Sequence, residues 1–550
     1  MAGKLTSTIT DNLRFFSISW KIFGVAICAA IGLTFGAHRA AAEKTFVYCS
    51  EGSPKAFNPM LATDGVSFNA GSKTVFNRLV SFKYGTTEIE PSLAESWKVS
   101  ADGLTFTFKL RKGVKFHSSK EFQPTRDFNA DDVVFTFNRQ RLKDHPYHNV
   151  GGGTYEYFES MDMGKIIKDI KKIDDQTVSF VLTQKEAPFL ANLAMDFASI
   201  LSEEFGQKML AAKTPDKLDQ YPVGTGPFIF TSYQKDNVIR YQANESYFAG
   251  RPKIDKLIFT ITPDPSVRAQ KLKTGECHLI AEPSPVDFDQ FKKNTKITVA
   301  EQDGLNVGYL AFNTEKKPFD NPIVRKAINM ALNRKAYLQA IYMGMASQAK
   351  NPIPPTIWSY NNNVKDYEYN PQEAKNLLKK AGLEKGFDTE MWVLPVSRPY
   401  NPSGKKMGEM MQADLAQVGI KVKLVTYDWP TYLEKSRKGE HQMIQMGWTG
   451  DNGDPDNFLN VLLGCPSVQS GGNLARWCNK SFNDLIQKAR QVTDVKTRTG
   501  LYQKAQSIFK DEAPWVTLAH ARVFRALSAS VTGYKIDPLG SERFETLDIK

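Results

Sequence analysis

Apolar and polar positions along the chain separate short strands from long amphipathic helices. In LTFTFKLRKGVKF (Leu104–Phe116) the two classes alternate over the first half, the period of a strand with one wet face. KTFVYCS (Lys44–Ser50) reads as an opening strand. KKIDDQTVSFVLTQ (Lys171–Gln184) and GTGPFIFTSYQKDNVIRYQAN (Gly224–Asn244) predict hairpins, turning at Asp174-Asp175 and at Lys235-Asp236-Asn237. In NADDVVFTFNRQRL (Asn129–Leu142) the spacing becomes helical. Asn129 is the cap, and Asp131 and Asp132 sit in the first turn, where carboxylates face the positive end of the helix dipole.

Near residue 304 the pattern changes. LNVGYLAFN (Leu305–Asn313) is a strand. DNPIVRKAINMALNRKAYLQAIYMG reads as one helix, capped by Asn321, opened by Pro322 and ended by Gly344. NPQEAKNLLKKAG repeats that grammar with Asn370, Pro371 and Gly382. Strands Thr389–Pro395 and Gly419–Tyr427 bracket the helix of GKKMGEMMQADLAQVG, a βαβ unit that predicts an α/β lobe. After TRTGLYQKAQSIFKDEAP the chain ends in extended segments, starting with WVTLAHARVF, a pattern that predicts a return to the first lobe. At 550 residues the chain is too long for one hydrophobic core, so two or more lobes are expected.

The first residues stand apart from this pattern. Lys4, Arg14 and Lys21 precede the apolar run Ile22–Ala37, which is too short and too rich in small residues for a membrane span. Ala40-Ala41-Ala42 has the small-x-small pattern of signal peptidase, which predicts a signal peptide over 1–42, cleaved after Ala42, and export. The lipoprotein alternative at Cys28 is disfavoured, because Ile27 precedes it where a small residue is needed. Residues 1–42 hold Lys4, Arg14, Lys21, Arg39 and Asp11, so their removal leaves +9 of the formal +12. That charge is spread along the chain without a basic block or stacking aromatics, and nucleic acid is not implied. Four cysteines remain after export, an even number that predicts two disulfides with three possible pairings. Cys465 and Cys478 are close enough in sequence to staple a local loop, which leaves Cys49 with Cys277. Zinc is not indicated, because there is no CxxC and no nearby histidine pair.

The candidate chemistry centres on GWTGDNGDPDNF (447–458). An EF-hand loop starting at Asp451 would need glycine and glutamate where Asp456 and Leu462 stand. HPYH (His145–His148) lacks an HExxH context and reads as a surface loop. No GxSxG surrounds a serine, Ile229 spoils the GTG at 224–226 as a dinucleotide loop, and the GGG at 151–153 lacks the lysine of a phosphate loop. The weight shifts from catalysis, here an exported hydrolase, to binding. Asp451 is a carboxylate suited to an ammonium, Trp448 three residues earlier offers shelter from water, and Gly450 and Gly453 permit close backbone approach. Arg398 is a matching anion site, pushed towards extended backbone by Pro399, with Tyr400 as an apolar wall. Taken singly, Asp451 reads as a turn residue and Arg398 as a surface arginine.

Two segments carry a family resemblance. ESWKVSADGLTFTFKLRKGVKFHSSKEFQPTRDFNADDVVFTFNR (Glu95–Arg139) and VGTGPF (Val223–Phe228) resemble scaffold signatures of the solute-binding components of peptide ABC importers. YCSEGSPKAFNP (Tyr48–Pro59), GGGTYEYFESM, EAPFLANLAMDFASILS (Glu186–Ser202), RPYNP (Arg398–Pro402) and GEHQMIQMGWTGDNGDPDNF (Gly439–Phe458) are similar to the dipeptide-binding members of that family. The resemblance implies an α/β, two-lobed periplasmic binding protein of type II, with a hinge and an extra subdomain in the first lobe. It divides the chain into a first lobe of 43–303 plus 522–550 and a second of 304–521, and implies the disulfides Cys49–Cys277 and Cys465–Cys478. It places Asp451 on a peptide ammonium and Arg398 on the peptide carboxylate. Pro399, Tyr400, Trp448, Thr449 and Gly450 would line the ligand, and Thr63 would reach it from the first lobe. The implied partners of this monomer are a dipeptide and an inner-membrane ABC permease, in the periplasm, with no cofactor or metal. The rivals are haem or another oligopeptide as ligand, with His441 as the histidine to check, and docking on a chemoreceptor.

Overall fold

The computed structural model describes residues 43–550. The signal segment 1–42, its cleavage point and Cys28 lie outside the described residues. Among the described residues no helix is long and apolar enough to cross a membrane.

The opening strand, Thr45–Ser50, runs parallel to Lys256–Ile261 on one side and to Leu279–Ile280 on the other. The hairpin Phe228–Gln234/Val238–Ala243 extends this sheet, turning at Asp236, whose φ is +58°. A second sheet stands apart, built from Ala94–Val99, Thr105–Leu110, Thr177–Leu182 and Ile167–Asp174, all antiparallel. The helix Ala130–Arg141 packs against it and carries the expected cap: Asn129 accepts from Asp131, and Asp132 reaches back to the Asn129 N–H. The strand expected over Leu104–Phe116 stops at Leu110. Gly113 takes a φ of +73°, which turns the chain out of the sheet.

The βαβ unit forms as expected. Phe387–Trp392 pairs parallel with Ile420–Val425, and the helix Gly404–Ala416 connects them. Met443–Thr449 joins the same sheet parallel to Phe387–Trp392 and antiparallel to Asn306–Phe312. The single helix expected after Asn321 is instead two, Pro322–Ala331 and Arg334–Tyr342. Leu332 is extended, and Asn333 caps the second helix while its own N–H donates to Asp414 Oδ2 (2.9 Å). Arg334 is buried with its guanidinium on the carbonyls of Ala349, Thr517 and Tyr367, a set that an unbroken helix would not reach.

The last long strand, Trp515–Ser528, belongs to both halves. Its first residues pair with Gly308–Ala311 and Ala346–Gln348, and Arg522–Ser528 pairs with Ile297–Asp303. The largest apolar core runs through both halves, from Phe46, Phe108 and Phe180 to Phe458, Phe482 and Phe509, and a second, around Phe312, Ile328 and Met411, lies within the region after residue 304. A small one around Phe291 and Phe524 surrounds the Cys49–Cys277 bridge. The second bridge, Cys465–Cys478, closes a local loop.

Candidate functional site

In an α/β sheet the ends of parallel strands leave a crevice where loops diverge. Two such ends meet here. Phe387–Trp392 runs into the loop that carries Arg398, and Met443–Thr449 runs into the loop that carries Asp451. From the other half, Glu51 follows Thr45–Ser50 and Glu282 follows Leu279–Ile280. These loops enclose a cavity of about 150 Å³ lined by Thr63, Tyr157, Arg398, Tyr400, Trp448 and Asp451 among others.

The Arg398 loop is a tight turn closed by Arg398–Asn401 backbone hydrogen bonds in both directions (3.2 and 3.0 Å). Asn401 donates to Gln445 Oε1 (3.1 Å), and Tyr342 donates to the Tyr400 carbonyl (2.6 Å), so the turn is held at its base. The Tyr400 ring lies over Gly447. A Cβ on Gly447 would stand 2.1 Å from Tyr400 Cδ2, and one on its register partner Gly308 would stand 2.3 Å from the Tyr400 carbonyl oxygen. Two facing glycines therefore make the seat that brings Pro399 and Tyr400 to the cavity wall. Arg398 Nη1 lies 3.3 Å from Glu51 Oε1, and its guanidinium sits over the Trp429 ring. Burial works against the charge on Arg398, but Glu51 first, then Tyr400 and Glu282, hold its pKa raised.

Asp451 is the opposite case. Tyr157 donates to its Oδ2 (2.7 Å), and Asn457 approaches the same oxygen at 3.5 Å. Asn457 also accepts from the Asp451 N–H and from Trp448 Nε1, so one amide fixes both residues. No cationic side chain among the described residues pairs with Asp451 within 4 Å. Burial pushes its carboxyl up to about 7, although Tyr157 and Asn457 pull the other way. Burial and the neighbouring Asp451 keep the Tyr157 phenol protonated, hence a donor. The site offers a desolvated carboxylate with hydrogen-bond donors from Tyr157 and Asn457 and, among the described residues, no cation in direct contact with it.

Thr63 also lines the cavity, where it accepts from Arg437 Nη2 (3.5 Å), and Arg437 forms an ion pair with Glu156. Pro399, Tyr400, Trp448 and Thr449 line it too. Gly450 does not. It is buried behind the wall with its N–H on the Leu305 carbonyl (2.7 Å), and a Cβ there would meet Leu305 and Phe458 at 2.8 Å, so its smallness serves packing. His441 is also off the wall. It is fully buried, its Nε2 is 2.8 Å from the Leu474 carbonyl, and burial lowers its pKa to about 4, which corrects its candidacy as an axial ligand. His145 and His148 lie in a partly exposed turn, as expected.

Tyr157, Asn457, Glu51 and Arg437 are contributions the sequence reading missed. Asn457 stood inside the quoted 447–458 stretch. Tyr157 lies 294 positions from the carboxylate it touches, and no local signal links the two.

The profile of the bacterial extracellular solute-binding proteins, family 5 (middle region), matches residues 88–470. The chain is 53% identical over 523 residues to the dipeptide-binding protein of Escherichia coli K12, covering 94% of this chain and 98% of that one. Among solved structures it superposes on the dipeptide-binding protein of Pseudoalteromonas sp. SM9913 in complex with Met-Leu. The TM-score is 0.90 at 40% identity, covering 92% of this chain and 100% of that one. It also superposes on an ABC-transporter-associated periplasmic binding protein of Helicobacter pylori in complex with the peptide STSA. There the TM-score is 0.88 at 41% identity, covering 92% and 98%. With a family profile matched over most of its length and a relative 53% identical along nearly the whole chain, this chain belongs to the family 5 bacterial extracellular solute-binding proteins.

Proposed function

We propose that the protein captures short peptides, dipeptides foremost, in the periplasm by their two terminal charges and presents them to an inner-membrane ABC permease. The observation that carries this reading is Asp451: a carboxylate in a cavity wall, hydrogen-bonded by Tyr157, desolvated, and without a cationic partner among the described residues. A peptide ammonium supplies the missing charge. Arg398 takes the peptide carboxylate, with Trp448, Thr449, Pro399 and Tyr400 along the chain and Thr63 opposite. An N-terminal ammonium and a C-terminal carboxylate two residues apart are separated by roughly 7 Å. A third residue moves one of them off its partner, and an unpaired buried charge costs several kcal/mol. Recognition through the termini places no demand of its own on the side chains, and the peptide leaves chemically unchanged.

We place the lobe boundaries at 303/304, between the strands Ile297–Asp303 and Asn306–Phe312, and at 521/522, on the shared strand. The cavity then lies between lobes, and Tyr157–Asp451, Glu51–Arg398 and Glu156–Arg437 all cross it. Closing on an empty site desolvates the Asp451 carboxylate unless it takes a proton. Closing on a peptide pairs it. Ligand and closure are thus thermodynamically linked, as domain closure requires.

Calorimetry tests this with Ala-Ala, N-acetyl-Ala-Ala and Ala-Ala-Ala. Ala-Ala is expected to bind, to be recovered intact, and to exceed both others at least tenfold. Equal affinity for free and acetylated peptide would sink the terminal-charge reading. A strong tripeptide would sink only the length selection, on which the H. pylori relative with STSA bears directly. The glycine seat gives a second measurement. Gly447→Ala is expected to weaken Ala-Ala at least tenfold by displacing Tyr400, and undiminished binding would show that the seat is irrelevant.

A further inference from the structure

The cavity lining holds more carboxylates than a peptide's termini require. Glu51, Asp64, Glu156, Glu282 and Asp451 face Arg398, Arg437 and Arg525. This acidic surplus is local, since the whole chain has a formal net charge of +12. Most of these groups are accounted for. Glu156 is paired with Arg437. Asp64 caps the helix Gly65–Ala70 by accepting from Ser67. Arg525 lies 3.1 Å from Glu282 and also holds Glu542. Glu51 is different. Its Oε1 shares Arg398 at 3.3 Å, and its Oε2 is buried without a hydrogen-bond partner among the described residues.

Glu51 and Glu282 leave neighbouring parallel strands at the same edge, where Cys49 pairs with Ile280. Both therefore stand at the Arg398 end of the cavity. Glu282 holds a φ of +36°, unusual for a residue with a Cβ, with its carbonyl accepting from Arg268 Nη2 (3.1 Å). Such backbone persists only where surrounding contacts impose it.

We propose that Glu51, backed by Glu282, is a side-chain selector that takes the ammonium or guanidinium of a lysine or arginine at the C-terminal residue of the bound peptide. The proposal rests on the reading in which Arg398 holds the peptide carboxylate. Once that carboxylate arrives, it joins Glu51, Glu282 and Glu542 against the guanidiniums of Arg398, Arg525 and Arg268, and one negative charge is left over in a sheltered cavity. Uncompensated buried charge is costly. A cationic side chain cancels it and supplies the donor that the buried, unpartnered Oε2 lacks. An apolar side chain of equal length leaves Glu51 unpaired. The C-terminal residue is singled out because its side chain branches from the Cα that bears the carboxylate on Arg398. At the other end, the ammonium already occupies Asp451.

Calorimetry with Ala-Lys, Ala-norleucine and Lys-Ala separates the possibilities, since norleucine matches lysine in length without its charge. In the unmodified protein Ala-Lys is expected to bind at least tenfold more tightly than either of the others. In Glu51→Gln the ratio of Ala-Lys to Ala-norleucine is expected to fall to within threefold of one, and in Glu282→Gln to fall part of the way. The ratio is read within each folded variant, so a general change in affinity cancels. Should Glu51→Gln not fold, the Glu282→Gln ratio decides. Equal binding of Ala-Lys and Ala-norleucine, or a preference for Lys-Ala, overturns the selector and leaves peptide capture intact. A ratio unchanged in the folded variants overturns the assignment to these carboxylates. Binding of none of the three overturns peptide capture and this proposal with it.

Discussion

Replacing Asp451 by asparagine is expected to weaken Ala-Ala binding about a hundredfold, about 2.7 kcal/mol, and to flatten its pH dependence. The side chain stays nearly isosteric, so packing against Trp448 and Asn457 is kept while the charge goes. A peptide ammonium then enters a buried site with no counter-charge, and Tyr157 still presents its donor to an amide. The pH dependence has a definite sign. Burial raises the Asp451 carboxyl to about 7, so the closed site binds a proton more tightly than water does. That proton competes with the peptide. Affinity in the unmodified protein should therefore be fullest between about 7 and 8, fall as pH drops through 7, and fall again above about 8 as the peptide amine loses its own proton. In Asp451→Asn the acid-side loss should vanish. Calorimetry from pH 5 to 9 reads both effects. Affinity within threefold of the original, or an unchanged acid limb, would remove Asp451 from the anchor role.

The second large effect concerns stability. Arg490 is buried and gathers three carboxylates: Glu186 Oε1 at 3.0 Å, Asp456 Oδ1 at 3.5 Å and Asp162 Oδ2 at 3.8 Å. It also donates to the Met161 carbonyl (2.7 Å). Glu186 and Asp162 lie some three hundred positions from Asp456 and Arg490 along the chain, so the cluster ties remote segments together. Burial still pushes the Glu186 and Asp456 carboxyls up in spite of the arginine. Arg490→Met keeps the bulk and removes the charge that offsets them most, leaving Arg498 as a lesser one near Asp456. The expected loss of unfolding free energy is about 3–5 kcal/mol at pH 8. The sign with pH follows from the raised carboxyls. The folded form holds their protons more tightly than the unfolded chain, so the penalty is small near pH 5 and grows as pH rises above the ordinary carboxylate range. Urea titrations at pH 5 and 8 measure the difference. A loss under 1 kcal/mol at pH 8, or an equal loss at both, would contradict the account.

Local chemistry was readable wherever the deciding contacts were local. The Asn129 cap, the turn at Asp236 and the parallel pair Phe387–Trp392/Ile420–Val425 each depend on residues a few positions apart, or on a periodicity within one segment. The break between Ala331 and Arg334 was hidden, because both sides have good helical spacing and the cause lies elsewhere. Asp414 and the carbonyls that hold Arg334 are 15 to 183 residues away. Gly450 shows the reverse error: a glycine beside a binding motif suggested approach to a ligand, and the space it spares is filled by Leu305 and Phe458.

The site divides along the same line. Asp451 and Arg398 could be picked out from the chain, because an aspartate among glycines after a tryptophan, and an arginine ahead of Pro-Tyr, have a composition that suits two opposite charges on a ligand. Whether either charge was already satisfied could not be read there. That depends on a tyrosine 294 positions away, which reaches Asp451 without neutralising it, and on a glutamate 347 positions away, which does meet Arg398. Charge–charge energies fall off with distance in space and are indifferent to distance along the chain. The residue types capable of the chemistry were therefore written in one dimension, and their states of charge were settled only when folding brought remote strand ends together around one cavity.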